Sequence, residues 1–224
     1  MLSARLQGIA DLVPACRRVI DIGTDHAYLP IELVRQERCA TALAADLRPG
    51  PLQRAKKNIK DAGLESQISL CLSNGLDDIA LQPDDVVIIA GLGGLEMIDI
   101  LSHASQTHNL KHQVIILQPM KSAFALRRWL SDHSFSFDME TLVNENNHDY
   151  PLIRTSQSEN TRPLSHLACW LGPVLMKSQP QGYQAYARRV LDQLRKRSRG
   201  DPELKVLQDE LLSHLEEVTR QSTT

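Results

Sequence analysis

The sequence predicts an α/β fold in which helices cover both faces of a mostly parallel sheet. Short apolar runs alternate with helical patterns from the N-terminus to about residue 155, and such alternation is typical of a parallel sheet. Two later strand-like segments have no helix between them, which predicts an antiparallel hairpin at the sheet edge. Two apolar stripes near the C-terminus predict an antiparallel helical coiled-coil arm. We therefore expect a Rossmann-like sheet followed by that arm.

Each element of the sheet domain follows from an apolar run or a helical pattern. Strands are predicted at residues 18–22, 40–46, 68–72, 86–90 and 114–117. Helices are predicted at residues 30–38, 51–62, 94–104 and 123–132. Pro30 and Pro51 suit a first helical position, and Gly63 suits the residue that follows a helix. The predicted edge hairpin consists of segments 135–143 and 150–155.

The rest of the chain is predicted to hold a connector and the helical arm. Residues 156–182 are rich in Ser, Gln and Pro, so we expect irregular structure there. Apolar residues then recur every three or four positions on both sides of a Gly-Pro turn at 198–202: Tyr183, Ala187, Val190 and Leu194, then Leu204, Leu207, Leu211, Leu215 and Val218. We divide the chain into a sheet domain at 1–157, a connector at 158–182 and the arm at 183–224.

Charge and composition exclude several classes of function. The formal net charge is −2, and aromatic residues make up 4% of the chain. The low aromatic content argues against a nucleic-acid binder that works mainly by base stacking. The net charge provides no overall attraction to phosphate. Any contact with nucleic acid must therefore use local basic patches.

The cysteines and the N-terminus indicate where the protein acts. Cys16, Cys39, Cys71 and Cys169 form no C-x-x-C pair, so we expect free thiols in a reducing compartment and no metal site. The N-terminus lacks the apolar segment of a signal peptide, and no run approaches the roughly 18 apolar residues of a membrane span. We therefore expect a cytoplasmic protein without membrane contact. We also expect it to be a monomer.

Acidic residues surround the turn after the first predicted strand. A dinucleotide enzyme needs a G-x-G-x-x-G pattern there, but only Gly23 is present, between Asp21 and Asp25. Two carboxylates would repel a pyrophosphate and would suit the sulfonium and ammonium groups of S-adenosylmethionine. Gly23 would allow the backbone to approach this cofactor closely. The alternative is an ordinary β–α turn in which Asp25 caps the helix.

The ends of the second and third strands carry further candidate cofactor contacts. Asp46, followed by Leu47, ends the second strand, where an acid can accept both ribose hydroxyls; capping of the next helix is the alternative. Asn74, Gly75 and Leu76 follow the third strand, where the adenine should lie. Asn74 would bond the exocyclic amine and Leu76 would pack on the ring, although Asn-Gly is also a common plain turn.

Three glycines follow the fourth predicted strand, namely Gly91, Gly93 and Gly94. A turn alone seldom needs three, so they predict a backbone that passes close to a ligand. Open α/β sheets bind ligands at this edge. Together with the acidic residues, the glycines predict a pocket for S-adenosylmethionine.

Several strings in the sequence resemble one family. They are Asp-Ile-Gly-Thr-Asp-His-Ala-Tyr-Leu-Pro (21–30), Arg-Pro-Gly-Pro-Leu (48–52), Asn-Gly-Leu (74–76), Ala-Gly-Leu-Gly-Gly (90–94) and Leu-Gln-Pro-Met (117–120). With them the chain resembles the bacterial tRNA (adenine-N1)-methyltransferases of the TrmK type, from its opening segment at 2–6 to the C-terminal hairpin. Asn74 stands where Asp is common in that family, and Leu92 stands where Met is frequent.

The resemblance implies a class I methyltransferase fold and a specific reaction. A methyl group would pass from S-adenosylmethionine to N1 of the adenosine at position 22 in the tRNA D-arm, and the C-terminal arm would take part in tRNA binding. The Asn-Pro-Pro-Tyr loop of enzymes that methylate exocyclic amines is absent after the fourth strand. That absence disfavours N6 as the target atom.

Three residues on the first strand–helix loop are the catalytic candidates. Because N1 already carries a lone pair, much of the rate should come from alignment. We expect Asp25 to accept the N6 hydrogen, His26 to orient the base or shuttle its proton, and Tyr28 to stack on a flipped adenine. The alternatives are local: a helix cap, a loop contact and a core residue, respectively. Gln118, which ends the fifth strand, is a candidate for lining the substrate cleft or for a simple strand-ending turn.

Two basic clusters are candidates for contact with RNA phosphates. The first lies on the helix after the second strand and includes Arg54 and Lys57, for which a solvated helix face is the alternative. The second lies on the first arm helix and its tip and consists of Arg188, Arg189, Arg195, Lys196, Arg197 and Arg199. The second arm helix is acidic instead.

Three other hypotheses compete with a tRNA methyltransferase. A methyltransferase that acts on another RNA, a protein or a small molecule would not need the arm for its activity. A non-catalytic cofactor-binding protein would use the arm to bind a partner, and the intact loop of Asp25, His26 and Tyr28 argues against it. A nicotinamide oxidoreductase conflicts with the glycine pattern.

Overall fold

The structure contains one seven-stranded sheet with the predicted antiparallel edge. The computed structural model describes residues 2–159, 161–197 and 201–221. The strands are β1 (Cys16–Ile22), β2 (Cys39–Asp46), β3 (Ile68–Leu72), β4 (Val86–Leu92), β5 (Val114–Pro119), β6 (Met139–Glu145) and β7 (His148–Ser156). They lie in the order β3-β2-β1-β4-β5-β7-β6. Strands β1 to β5 run parallel, whereas β7 is antiparallel to β5 and β6, so the predicted fold class is confirmed.

Helices cover both faces of this sheet. They are α1 (Ala4–Leu12), α2 (Tyr28–Arg35), α3 (Pro49–Ala62), α4 (Gly94–Thr107), α5 (Ala123–Asp132), α6 (His166–Leu171), α7 (Pro173–Ser178), α8 (Tyr183–Arg197) and α9 (Pro202–Gln221). On β4, Val86 and Ile88 pack in the layer of α1 to α3, while Val87 and Ile89 pack in the layer of α4 and α5. A central strand covered on both faces must be apolar throughout, which explains its sequence.

Helix α1 corrects the sequence-based prediction, which places no element before residue 18. The helix begins after Ser3, whose hydroxyl accepts the Leu6 N–H at 3.4 Å. Gly8 lies directly on the sheet, because a Cβ there would come within 2.5 Å of a Val143 methyl carbon. A mid-helix glycine weakens the local helical preference. Gly8 therefore allows α1 to pack closely on the sheet but also makes this helix hard to predict from the sequence.

Several predicted boundaries also shift. Helix α3 begins at Pro49, so the prediction that Pro51 is the first helical residue is wrong. Helix α2 begins at Tyr28 instead of Pro30, directly after Ala27, which has a left-handed φ of 55°. Strand β6 starts four residues later than predicted. Its turn to β7 is tighter than predicted and centres on Asn146 and Asn147, with φ of 51° and 64°. Two-residue hairpin turns need such positive φ values, which Asn tolerates.

The connector at 156–182, predicted to be irregular, contains the two short helices α6 and α7. The Ser165 hydroxyl caps α6 by accepting the Ala168 N–H at 3.2 Å. Each helix has six residues, a length that is marginal in isolation. Trp170, Leu171 and Leu175 are buried in one cluster with the arm. The helical structure of this segment therefore depends on tertiary packing.

Helices α8 and α9 form the predicted antiparallel hairpin. The hydroxyl of Tyr183, at the start of α8, lies 2.7 Å from Nε2 of His214 in the second half of α9. Leu194 of α8 and Leu207 and Leu211 of α9 share one buried core. Residues 198–200 at the tip lie outside the described residues.

A buried ion pair joins the sheet domain to the helices that follow it. The side chains of Arg127 (α5) and Glu140 (β6) are fully buried, with Nε 2.7 Å from Oε1. Arg127 Nη1 also donates to the Trp170 carbonyl at 3.1 Å and to the Tyr186 hydroxyl of α8 at 3.3 Å. Glu140 Oε2 accepts the Val174 N–H of α7 at 2.9 Å. Because both charges have several buried partners, the pair fixes α6, α7 and α8 against the sheet domain.

The cysteines are free thiols. Burial raises the pKa of Cys16 to about 11 and that of Cys39 to about 12, so both stay protonated and unreactive near neutral pH. Within the described ranges, no group of three or more potential metal ligands is present. In the same part of the chain, no helix is both long and apolar enough to cross a membrane.

Arg127→Met is expected to lower the free energy of unfolding by about 3–5 kcal/mol, because it leaves the Glu140 carboxylate buried without its partner. Urea unfolding followed by circular dichroism measures the change. Arg128→Met on the same helix is the matched control, since the Arg128 side chain is 63% exposed, and it should change stability by less than about 1 kcal/mol. An equally small change for Arg127→Met would contradict the role of the pair.

Candidate functional site

The candidate site is an open pocket at the carboxyl edge of the sheet, between the ends of β1, β2 and β4. It encloses about 1010 Å³, counting space open to solvent. The chain runs outward from β1 to β3 on one side and from β4 to β5 on the other, so β1 and β4 flank the switch point where such sheets bind ligands. The acidic residues of the first two strand ends meet there, as their positions in the sequence predict.

Two buried carboxylates lie in this pocket. Asp21 is 8% exposed and Asp46 is 7% exposed. Burial, together with the smaller effect of the nearby Asp46 charge, raises the pKa of Asp21 to about 7. Asp46 Oδ1 accepts the Arg48 N–H at 2.8 Å, but α3 starts after Arg48 and has no side-chain cap, so the alternative that Asp46 caps this helix is wrong. The Arg48 guanidinium lies 3.7 Å from Asp46, whereas Asp21 is a buried carboxylate, a group that favours a cationic ligand.

The turn after β1 brings the two acids together. The N–H groups of Gly23 and Thr24 both donate to the Ala45 carbonyl at 2.9 Å, which ties the end of β1 to the end of β2. Gly23 has a φ of 78°, a conformation that favours glycine. The turn therefore exposes backbone beside Asp21 and Asp46.

Asp25, His26 and Tyr28 lie at the rim of the pocket. Asp25 is ion-paired with Arg54, which donates through Nε at 3.0 Å, and this hydrogen bond holds the pKa of Asp25 below its usual value. His26 Nε2 lies 3.2 Å from Asp25. The His26 and Tyr28 rings stack with centroids 5.0 Å apart. Tyr28 is 52% exposed, so the alternative that it is a core residue is wrong.

The pairing of Asp25 with Arg54 joins two residues to which the sequence assigns separate roles. A lowered pKa makes Asp25 a weak proton acceptor but leaves it able to accept a hydrogen bond. Arg54, expected to contact RNA, lies at the rim of the same pocket through its contact with Asp25. Lys57 is exposed on the same helix, three residues further on.

The residues after β3 lie outside the wall of this pocket. Asn74 donates to the Asp77 carboxylate at 3.1 Å, and Gly75 has a φ of 60°, as in a plain turn. Leu76 is 1% exposed and belongs to the core. Leu47, next to Asp46, is 63% exposed. Contact of these residues with an adenine stays a prediction.

The three glycines predicted to follow β4 have three different structural roles, and the first of them lies within this strand, which extends to Leu92. Gly91, with a φ of 77°, lines the pocket. Gly93 precedes α4 and donates its N–H to the Glu96 carboxylate at 2.7 Å. A Cβ on Gly94 would come within 2.5 Å of the Ser122 carbonyl oxygen. Only the first of them forms part of the pocket wall.

Gln118 and Arg5 form a support that sequence analysis did not identify. Gln118 is fully buried, so it can act on a substrate only through its neighbours. Its Oε1 accepts from Arg5 Nη1 at 2.7 Å and from the Gly91 N–H at 3.1 Å. Arg5 lines the pocket and belongs to α1. Because the local sequence pattern does not predict this helix, it does not predict the position of Arg5 in the pocket either.

The basic residues of the arm divide into two groups. Arg189 is ion-paired with Asp149 of β7, and the Arg197 guanidinium lies 5.3 Å from the Phe124 ring centroid, so both contact the sheet domain. Among the others, Arg188 lines a groove between α8 and α9. Arg195 lies 3.4 Å from Asp192, and Lys196 is exposed. Arg199 lies outside the described residues.

Comparison with known proteins agrees with this geometry. A family model described as a methyltransferase domain matches residues 2–153. The chain is 34% identical over 152 residues to the tRNA (adenine(22)-N(1))-methyltransferase of Bacillus subtilis (strain 168), and the match covers 68% of this chain. It spans 63% of that relative, which is less than two thirds of its length.

Solved structures extend the likeness to the arm. A Streptococcus pneumoniae protein proposed to be a tRNA (m1A22) methyltransferase, in complex with S-adenosyl-L-methionine, is 31% identical with a TM-score of 0.82 over 97% of this chain and 99% of that one. TrmK of M. capricolum, in complex with S-adenosyl-homocysteine, is 29% identical with a TM-score of 0.78 over 97% of each chain. The chain therefore belongs to the methyltransferase-domain family and, within it, to the TrmK type of tRNA (adenine-N1)-methyltransferases, as its motifs predict.

Proposed function

We propose that this protein transfers a methyl group from S-adenosylmethionine to N1 of an adenosine in tRNA, at position 22 of the D-arm. The observation that carries the proposal is the pair of buried carboxylates, Asp21 and Asp46, at the switch point of a methyltransferase sheet. Family membership supports the choice of tRNA adenine N1 as the target. A monomer stays the expected oligomeric state, and a tRNA substrate supports a cytoplasmic location.

The residues of the pocket fit a cationic nucleoside donor. Asp21 favours a positive charge because its own burial is otherwise unfavourable. Asp46 would hold the ribose hydroxyls, and the positive-φ turn at Gly23 would let backbone groups approach the ligand. When bound, the cofactor supplies a methyl group activated by its sulfonium, which moves to N1 as the carbon–sulfur bond breaks.

The rim residues act on the adenine. Asp25, held ionised by Arg54, would accept a hydrogen bond from N6 and thereby orient N1 towards the donor. Positive charge develops on the base as N1 is alkylated, and an ionised carboxylate next to N6 stabilises that charge. Tyr28, exposed and backed by the stacked His26 ring, would stack on the adenine.

The reaction itself is tested by incubating unmodified tRNA with the protein and methyl-labelled S-adenosylmethionine. Mass mapping of the nucleosides should find the label on N1 of one D-arm adenosine. Label on N6, or on no RNA at all, would overturn the proposed function.

The affinity for S-adenosylmethionine is expected to fall about tenfold as the pH is lowered from 8 to 6, because Asp21, with a pKa of about 7, loses its charge over this range. Titration calorimetry at each pH measures the change. Asp21→Asn should bind weakly at both pH values and show no such dependence. A wild-type affinity that stays constant from pH 8 to 6 would contradict the assignment.

Without cofactor, Asp21→Asn is expected to melt at a higher temperature than the wild type at pH 8. The folded-state pKa of Asp21 lies above the ordinary value of 3.8, so the folded wild type loses stability as the pH rises from about 4 to 7 and stays less stable above that range. The variant lacks this penalty. Differential scanning calorimetry at pH 5 and 8 should therefore find a larger difference at pH 8, and a lower melting temperature for the variant there would contradict the argument.

Asp25→Ala is expected to lower methyl transfer by at least about 100-fold, since it removes the proposed contact with N6. The dissociation constant of S-adenosylmethionine should change little, because Asp25 lies at the exposed rim. Asp61→Ala on the exposed face of α3 is the matched carboxylate control and should keep full activity. Unchanged turnover in Asp25→Ala would remove Asp25 from the mechanism.

Replacing Arg195 and Lys196 with Ala is expected to weaken tRNA binding and to reduce the slope of log affinity against log salt by about one for each lost phosphate contact. Filter binding at several salt concentrations measures the slope. Lys205→Ala on the acidic helix α9 removes a comparable exposed charge and should leave the slope unchanged. Identical slopes for all variants would show that these arm residues do not contact phosphate.

A further inference from the structure

Exposed apolar side chains cluster at the carboxyl edge of the sheet. Within the described part of the chain, eight large apolar side chains are exposed, and five of them lie at or just after the ends of the five parallel strands: Tyr28, Leu47, Leu72, Leu95 and Met120. Tyr28 lines the candidate site, and Leu47 is a predicted cofactor contact next to Asp46. Leu95 and Met120, which follow β4 and β5, are 58% and 47% exposed and have no assigned role.

Backbone hydrogen bonds hold Leu95 and Met120 on adjoining segments. The Met120 N–H donates to the Leu92 carbonyl at 2.8 Å, and the Gly94 N–H donates to the Lys121 carbonyl at 2.8 Å. The close approach that requires a glycine at 94 is part of this junction. We call the two side chains the Leu95–Met120 patch.

The patch adjoins both the cofactor pocket and the surface that leads to the arm. Leu92, bonded to Met120, lines the cofactor pocket, whereas Leu95 and Met120 do not. On its other side, Met120 lines a cleft of about 820 Å³, open to solvent, that also includes Lys121 and Arg197. A strand of RNA that runs from the pocket to this cleft would therefore pass Met120 and meet the Lys121 cation next to it.

The chemistry of the target requires such a surface. N1 of adenine accepts the central hydrogen bond of a Watson–Crick pair, so a paired adenine cannot be methylated there. The base must leave the helical stack, which costs unpairing and unstacking energy. Proteins offset this cost by placing apolar side chains against the bases that remain.

We propose that the Leu95–Met120 patch packs against the nucleobases next to the target adenine and holds the RNA open while that adenine occupies the pocket. The proposal rests on the proposed function. It assigns Leu95 and Met120 as positioning residues whose contribution is needed only when the target adenine is paired. The ligand of the patch is therefore RNA from which the target base has been flipped out.

The test uses the double variant Leu95→Ser/Met120→Ser and two tRNA transcripts. In one transcript the target adenine keeps its pairing partner, and in the other the facing nucleotide is replaced so that no pair forms. With the paired transcript, kcat/KM for tRNA should fall at least about tenfold. With the unpaired transcript it should fall less than about threefold, because the opening step is no longer needed. The dissociation constant of S-adenosylmethionine should be unchanged.

The matched control is Met139→Ser/Val206→Ser, which removes two side chains of 41% and 60% exposure from β6 and α9. It should keep wild-type rates on both transcripts. Equal loss on both transcripts for the patch variant, or no loss on either, would overturn the proposal while leaving the proposed function intact. If the wild type methylates neither transcript, the proposed function fails and this inference fails with it.

Discussion

The placement of the arm relative to the active-site pocket depends on the buried pair of Arg127 and Glu140. These side chains are hydrogen-bonded to each other and to helices α6, α7 and α8. Gly172, with a φ of 96°, lies between them: a Cβ there would be 2.8 Å from both the guanidinium and the carboxylate. A buried pair of this kind adds little net stability but strongly penalises any arrangement that separates the charges. The arm contacts the pair through the Tyr186 hydroxyl, so the observed position of the arm is the one in which this buried hydrogen bond forms.

In the pocket, by contrast, a buried acidic residue lowers the stability of the folded protein while it favours ligand binding. Asp21 and Asp46 are both buried in this pocket; Arg48 lies 3.7 Å from Asp46, whereas the raised pKa of Asp21 reflects the cost of its burial. The shared Ala45 carbonyl holds both strand ends in place, so the acids cannot move apart to relieve it. A cationic ligand removes the penalty, which makes the pocket selective for charge as well as for shape.

The charged residues show how far residue type alone can be trusted. Arg54, Arg189 and Arg197 are all basic and all fall in clusters typical of phosphate binding, yet each contacts another part of the protein. The partners, such as Asp149, lie far away in sequence. A cluster of cations in a sequence therefore predicts a surface on which RNA could lie, but it does not say which side chains are available to the RNA.

The sequence by itself determined the sheet, the arm and the two acidic strand ends, because local patterns record them: continuous apolar runs such as β4, helical apolar spacing, and acids that end strands. Only the tertiary structure decided helix α1, the helices of the connector, and the positions of Arg5 and Gln118. Gly8 weakens the helical pattern of α1 because it must lie against the sheet. Contacts between residues more than 100 positions apart, such as Arg5 with Gln118, leave no periodic trace in a chain.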